Sequence, residues 1–191
     1  QIQGFFSSLE DDLSSIPLLG YAIKHDKAID KSRLVVVSPD HGGVNRVRRI
    51  AEILDCPIAI IDKRRNDKRQ PEVMNIIGDV KEKDCLLVDD IMDTCGTAIA
   101  GVNALKSAGA HEVMMAATHP VLSDPAYERL SNGYPFSRLW FTDSIPLAEK
   151  FIKDENLHIT VCSLSKVIAN AITAIHKENS ISTSSRELFL D

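Results

Sequence analysis

Leu86-Leu87-Val88-Asp89-Asp90-Ile91-Met92-Asp93-Thr94-Cys95-Gly96-Thr97 runs from an apolar segment into two adjacent carboxylates and then into a short hydroxyl-containing turn. The apolar part suits a strand buried on both faces, as in a parallel sheet. Asp89 and Asp90 fall at its carboxyl end, where open α/β sheets bind ligands. The turn Asp93 to Thr97 opens a helical pattern and offers backbone N–H groups and hydroxyls to an anion. Carboxylates beside an anion cradle suit a ligand carrying both hydroxyls and a phosphate, and a sugar phosphate is the simplest such molecule. In this reading Asp89 and Asp90 accept hydrogen bonds from vicinal hydroxyls. Thr94, Gly96 and Thr97 hold the phosphate, with Gly96 permitting close backbone approach. An ordinary solvated acidic pair is the competing reading, and the turn and helix that follow weigh against it. Cys95 reads as a tolerated small residue of the same loop.

Outward from this stretch the chain alternates strand and helix. Leu34 to Val37 predicts a buried strand, followed by the loop Ser38-Pro39-Asp40-His41-Gly42-Gly43. Val44, Val47, Ile50, Ala51 and Leu54 recur at helical spacing, with Arg46, Arg48 and Arg49 on other faces. Ile58 to Ile61, Val73 to Ile77, Cys85 to Val88, Val113 to Thr118, Leu139 to Thr142 and Ile159 to Cys162 predict further strands. Helices are expected from Ile16, with Pro17 in the first turn, over Thr97 to Ala108 with Gly109 as a stop, over Pro125 to Leu130, and over Leu164 to His176. Gln1 to Phe6 reads as one more short strand. Strands separated by helices of this length imply βαβ units: an α/β fold with a mostly parallel sheet flanked by helices.

The 191 residues, 44% hydrophobic, suffice for a full core. A formal net charge of −5 gives no global attraction for nucleic acid or an anionic membrane. No apolar run approaches the roughly 20 residues of a membrane span. The four cysteines lie far apart without a CxxC pair, as in a reducing compartment, so the expected location is the cytoplasm.

Two other loops carry chemistry. Asp40 follows a strand in the same sheet as Asp89 and suits a Mg²⁺, which takes one or two carboxylates plus substrate phosphates; an ordinary Pro-Asp-Gly turn is the alternative. His41 reads as locally packed. Lys63-Arg64-Arg65-Asn66-Asp67-Lys68-Arg69 is the strongest cationic cluster in a net acidic chain. Three readings compete, a solvated surface run, a nucleic-acid patch and a mobile phosphate clamp, and no aromatic interleaving supports nucleic acid. Following an apolar strand, it reads as an overhang on the ligand crevice that would stabilise charge on a transferred phosphoryl group.

Together these residues closely resemble the ribose-phosphate pyrophosphokinase (phosphoribosyl pyrophosphate synthetase) family. Val35 to Gly43 resembles its metal loop, Ile60 to Arg65 its catalytic loop, Val73 to Val80 the segment after it, and Leu87 to Thr97 its ribose-phosphate signature. Ala117 to Ser123 is similar to a further family stretch. The resemblance implies a type I phosphoribosyltransferase-like fold and transfer of diphosphate from ATP to ribose 5-phosphate, giving phosphoribosyl pyrophosphate and AMP. It implies Lys63 and Arg65 as catalytic residues, with Arg65 also touching substrate. It assigns Asp89, Asp90, Asp93, Thr94, Cys95, Gly96 and Thr97 to ribose 5-phosphate, and Asp40 to Mg²⁺. Homo-oligomers, hexamers in the common class, are implied as well. Ser180 and Ser182 match the family's regulatory phosphate-binding tail, from which Thr183 to Glu187 departs. Gln1 to Phe6 resembles the end of an amino-terminal domain. The expected division is therefore a remnant at 1–14, a catalytic domain at 15–178 and a tail at 179–191, with most of the ATP site lying outside the chain and little activity in isolation. The alternatives are a type I phosphoribosyltransferase that consumes phosphoribosyl pyrophosphate, and a non-catalytic synthetase-associated regulatory subunit.

Overall fold

Short runs of Val, Leu and Ile, buried to both sides, form the strands of a central sheet. The computed structural model describes residues 4–7, 10–64, 73–181 and 188–189. The strands are β1 (Leu34–Ser38), β2 (Ile58–Arg64), β3 (Val73–Ile77), β4 (Asp84–Met92), β5 (Glu112–Pro120), β6 (Leu139–Thr142) and β7 (Ile159–Cys162). The helices are α1 (Ile16–Lys24), α2 (Val44–Leu54), α3 (Gly96–Ser107), α4 (Ala126–Ser131), α5 (Glu149–Ile152) and α6 (Ser165–His176). The seven strands lie in the order β3-β2-β1-β4-β5-β6-β7. All neighbours are parallel except β2 and β3, which pair antiparallel at one edge with Lys63 opposite Met74.

The two-residue alternation of a strand divides the core into two layers. Val35, Val37, Cys85, Leu87, Val113, Met115 and Phe141 face one side, where α3, α4 and Phe151 of α5 cover them. Leu34, Val36, Leu86, Val88, Met114, Ala116 and Trp140 face the other, beneath α1 and α2. Every residue of β1 is buried, between the two layers. On α3 small residues bring the helix close to the sheet: a Cβ at Gly101 would stand 3.3 Å from Ile61 Cδ1 and 3.4 Å from Leu87 Cδ1.

This order places a topological switch point between β1 and β4. The chain winds outward from β1 through β2 and β3, then returns to β4 and winds the other way. Loops leaving the carboxyl ends of β1 and β4 therefore diverge and open a crevice, the usual ligand site of such sheets.

Four expectations need correction. Gly4 to Phe6 is not a strand but a short helical turn, and Phe5 is 82% exposed. β4 does not stop at Val88: pairing of Asp89 with Ala117 and of Ile91 with His119 keeps the chain extended to Met92. The basic run does not begin as a loop, because Lys63 and Arg64 close β2. Finally, α5 and a single 3-10 turn at Lys31–Arg33 were not expected. Both are short and lack the apolar repeat that marks a longer helix.

Candidate functional site

Four acidic residues, Asp40, Asp89, Asp90 and Asp93, line one cavity of about 470 Å³ together with Thr94, Gly96 and Thr97. It sits at the switch point, bounded by the loop after β1 and the carboxyl half of β4 with its turn into α3. The residues assigned from sequence to the sugar hydroxyls, the phosphate and the metal are thus brought together.

Asp89 and Asp90 share one cation. Arg46 of α2 places Nη1 3.0 Å from Asp89 Oδ1 and Nη2 2.8 Å from Asp90 Oδ2, so a single guanidinium spans both carboxylates. Backbone groups finish the arrangement: Asp90 N–H donates to Asp89 Oδ1 at 2.9 Å, and Ile91 N–H to Asp90 Oδ1 at 2.9 Å. The two acids are not equivalent. Burial, then the hydrogen bond with Asp90, pushes the Asp89 carboxyl up to about 6, against the pull of Arg46. Burial would raise Asp90 too, but the hydrogen bond with Asp89 and the charge of Arg46 hold it below the usual carboxylate value. Asp90 therefore carries the more secure negative charge of the pair.

The turn into α3 leaves its backbone donors without a side-chain cap. Cys95 precedes the helix with a left-handed φ of 64°. The first backbone N–H groups of α3 have no acceptor within the helix, as at any helix start. Thr94 and Thr97 are exposed beside them. Cys95, expected as a tolerated small residue of this loop, is inaccessible through its side chain. It is 4% exposed, and burial pushes its thiol up to about 12, so only its backbone is available to a ligand. Arg129 of α4 secures the turn by donating from Nη1 to the Thr94 carbonyl at 2.7 Å. The same nitrogen lies 3.2 Å from where a Gly96 Cβ would stand. Arg129→Met is expected to weaken binding of a sugar phosphate by roughly tenfold, the worth of one hydrogen bond to a charged group. A ligand-dependent shift in Tm measures this, and an unchanged shift would remove Arg129 from the site.

Asp40 is tied into its own loop. Its Oδ1 accepts from Gly43 N–H at 2.9 Å, and its carbonyl accepts from the buried Ser38 hydroxyl at 2.6 Å. This is the turn that launches α2, so the ordinary structural reading of Asp40 holds alongside any metal role. Among the described residues no three His, Cys, Asp or Glu side chains stand close enough to hold an ion by themselves. His41 does not merely pack locally: its Nε2 lies 2.9 Å from Asp62 Oδ1 on β2, linking the Asp40 loop to the strand that carries Lys63.

Arg65, Ser182 and the side chain of Lys63 lie outside the described residues. Ser180 is exposed beyond the end of α6 and is not among the residues lining the cavity. Sequence reasoning missed Arg46 and Arg129. Arg46 carried a weak signal, since it sits three residues beyond a Gly-Gly loop at a strand end. Arg129 carried none, being 35 residues from the carbonyl it holds.

The sequence matches the Phosphoribosyl transferase domain family over residues 18–150. It is 44% identical over 182 residues to a ribose-phosphate pyrophosphokinase of Staphylococcus saprophyticus, covering 95% of this chain and 56% of that protein. Against ribose-phosphate pyrophosphokinase 2 of Enterococcus faecalis the identity is 48% over 185 residues, covering 95% and 55%. The crystal structure of phosphoribosylpyrophosphate synthetase from Mycobacterium smegmatis superposes with a TM-score of 0.78 at 37% identity, over 94% of this chain and 56% of that one. The chain thus spans about half the length of the curated relatives it matches.

Proposed function

We propose, from the premise that this chain belongs to the phosphoribosyl transferase domain family and is a homologue of ribose-phosphate pyrophosphokinases, that it carries the ribose 5-phosphate site of a ribose-phosphate diphosphokinase. The observation that carries the reading is one cavity holding both the Asp89–Asp90 pair and the uncapped start of α3. Hydroxyl recognition and phosphate recognition then lie side by side, as a sugar phosphate requires.

The roles follow from the chemistry. Asp89 and Asp90 accept from the ribose hydroxyls and fix the ring. The N–H groups opening α3, with Thr94 and Thr97 and the neighbouring Asp93 backbone, hold the 5-phosphate. So anchored, the sugar presents its anomeric oxygen to the β-phosphorus of ATP. A bond forms from that oxygen to phosphorus, the bond to the oxygen retained by AMP breaks, and the hydroxyl proton is lost. Lys63 and Arg65, at and after the carboxyl end of β2, stabilise the negative charge that moves during the step. The four carboxylates that line the cavity are the hard oxygen donors a divalent cation takes, and Asp40 would supply one of them. When bound, Mg²⁺ would neutralise phosphate charge there.

ATP and ribose 5-phosphate are accordingly the proposed substrates, and assembly into a homo-oligomer, a hexamer in the common class, rests on the resemblance alone. All four cysteines are free and no described helix is long and apolar enough to cross a membrane, which accords with a cytoplasmic setting.

The test has two parts. Calorimetry on residues 1–191 is expected to give saturable binding of ribose 5-phosphate. Grafted into a relative of full length, the chain is expected to support AMP formation from ATP and ribose 5-phosphate with Mg²⁺. A folded graft that binds ribose 5-phosphate yet forms no AMP would sink the diphosphokinase reading. Diphosphate release from phosphoribosyl pyrophosphate plus a nucleobase would replace it with a phosphoribosyltransferase.

A further inference from the structure

Arg46 adjoins the cavity through the two acids it pairs with, and no motif accounts for it. It belongs to α2, on the far side of the switch point from the acids it meets. Its two nitrogens reach a different carboxylate each, at 3.0 and 2.8 Å. The side chain is 24% exposed, while those of Asp89 and Asp90 are 28% and 58% exposed. Asp89 and Asp90 line the cavity, and Arg46 does not.

Two adjacent carboxylates at the end of a strand repel one another, and successive side chains of a strand point to opposite faces. Without a bridging cation they would splay. A planar guanidinium with two parallel donors fixes both the spacing and the tilt of its partners. We propose that Arg46 is the positioning residue for recognition of the ribose diol: it clamps one oxygen of each carboxylate so that both acids present acceptors to the two hydroxyls at once. This rests on the assignment of the cavity to ribose 5-phosphate and deepens it, because it makes selection of a vicinal diol depend on a residue that touches neither hydroxyl.

Selectivity between ribose 5-phosphate and 2-deoxyribose 5-phosphate separates this role from general stability or charge. The two ligands carry the same phosphate, so an electrostatic or folding defect weakens both alike and leaves their affinity ratio unchanged. In the wild-type chain calorimetry is expected to favour ribose 5-phosphate by about thirtyfold, the worth of one hydrogen bond to a charged acceptor. In Arg46→Met the ratio is expected to fall below about fivefold, as the paired acceptors lose their register. Arg46→Lys keeps the charge but not the fork and is expected to narrow the ratio as well. It also serves where the Met variant melts below the assay temperature.

A ratio in Arg46→Met equal to that of the wild type overturns the proposal. So does full retention of the ratio in Arg46→Lys, which would reduce Arg46 to a counter-charge. Tight wild-type binding with no preference would overturn the diol assignment of Asp89 and Asp90, and no wild-type binding of either sugar would overturn the reading of the cavity itself.

Discussion

Lys63→Ala is expected to lower kcat for AMP formation by at least ~10²–10³-fold, the loss typical of one electrostatic stabiliser of a transition state, while ribose 5-phosphate affinity stays near that of the wild type. The separation follows from where the residues stand. In the proposed reading ribose 5-phosphate would be anchored by the residues lining the cavity at the end of β4 and the start of α3, whereas Lys63 is the penultimate residue of β2, two strands away across β1. Parallel β1, β2 and β4 have their carboxyl ends on the same side of the sheet, and the proposed role separates Lys63 from the residues that would hold the sugar. The link from His41 to Asp62 ties its neighbour on β2 to the loop of Asp40. Phosphoryl-group transfer draws its rate from charges already in place, so a loss confined to kcat is the signature of the role. Steady-state kinetics in the full-length graft measure it, and a kcat within a few-fold of wild type would contradict the assignment.

What could be read from the chain itself was whatever is local. Apolar runs and helical repeats gave the alternation of strands and helices, and the residues singled out around Asp89 and Asp90 do line one cavity. Strand order was not local. Nothing in residues 34–38 says that they pair with residues 84–87 rather than ending an edge, yet that pairing creates the crevice. Arg46 was legible only as a residue off the apolar face of a helix. Its meaning depends on α2 standing over β4, a consequence of the switch point. The end of β4 was misjudged for a related reason: the apolar run stops at Val88, but β5 supplies a ladder that holds the polar residues after it extended. Arg129 shows the same limit, since α4 meets the start of α3 only after β5 has crossed the sheet.

Asp89→Asn is the second large expected effect, a loss of ribose 5-phosphate affinity of about thirty- to a hundredfold, with the exchange of a charged for a neutral acceptor as its cause. The pH dependence makes the assignment specific. Asp89 accepts best when ionised, and its carboxyl is pushed up to about 6, chiefly by burial. Wild-type affinity is therefore expected to be flat above neutrality and to fall as pH drops through about 6. The sugar's phosphate monoester loses charge in the same range, near a second pKa of about 6. Two protonations then act together in the wild type, and log affinity should approach a slope of two against pH. Asn removes one of them, so the variant should keep only the phosphate limb, with a slope near one. Asp90, held below its ordinary value, titrates under this window and complicates neither curve. Stability should move the opposite way. A carboxyl whose folded value lies above its unfolded one binds its proton more tightly when folded, so stability falls as pH rises from the unfolded value towards about 6. Above that range Asp89 opposes folding, and Asp89→Asn should melt no lower than wild type at pH 7, stability having been given up there for function. A variant that melts lower would contradict the raised Asp89 carboxyl, and one that retains the slope of two would place the ribose hydroxyls on some other acceptor.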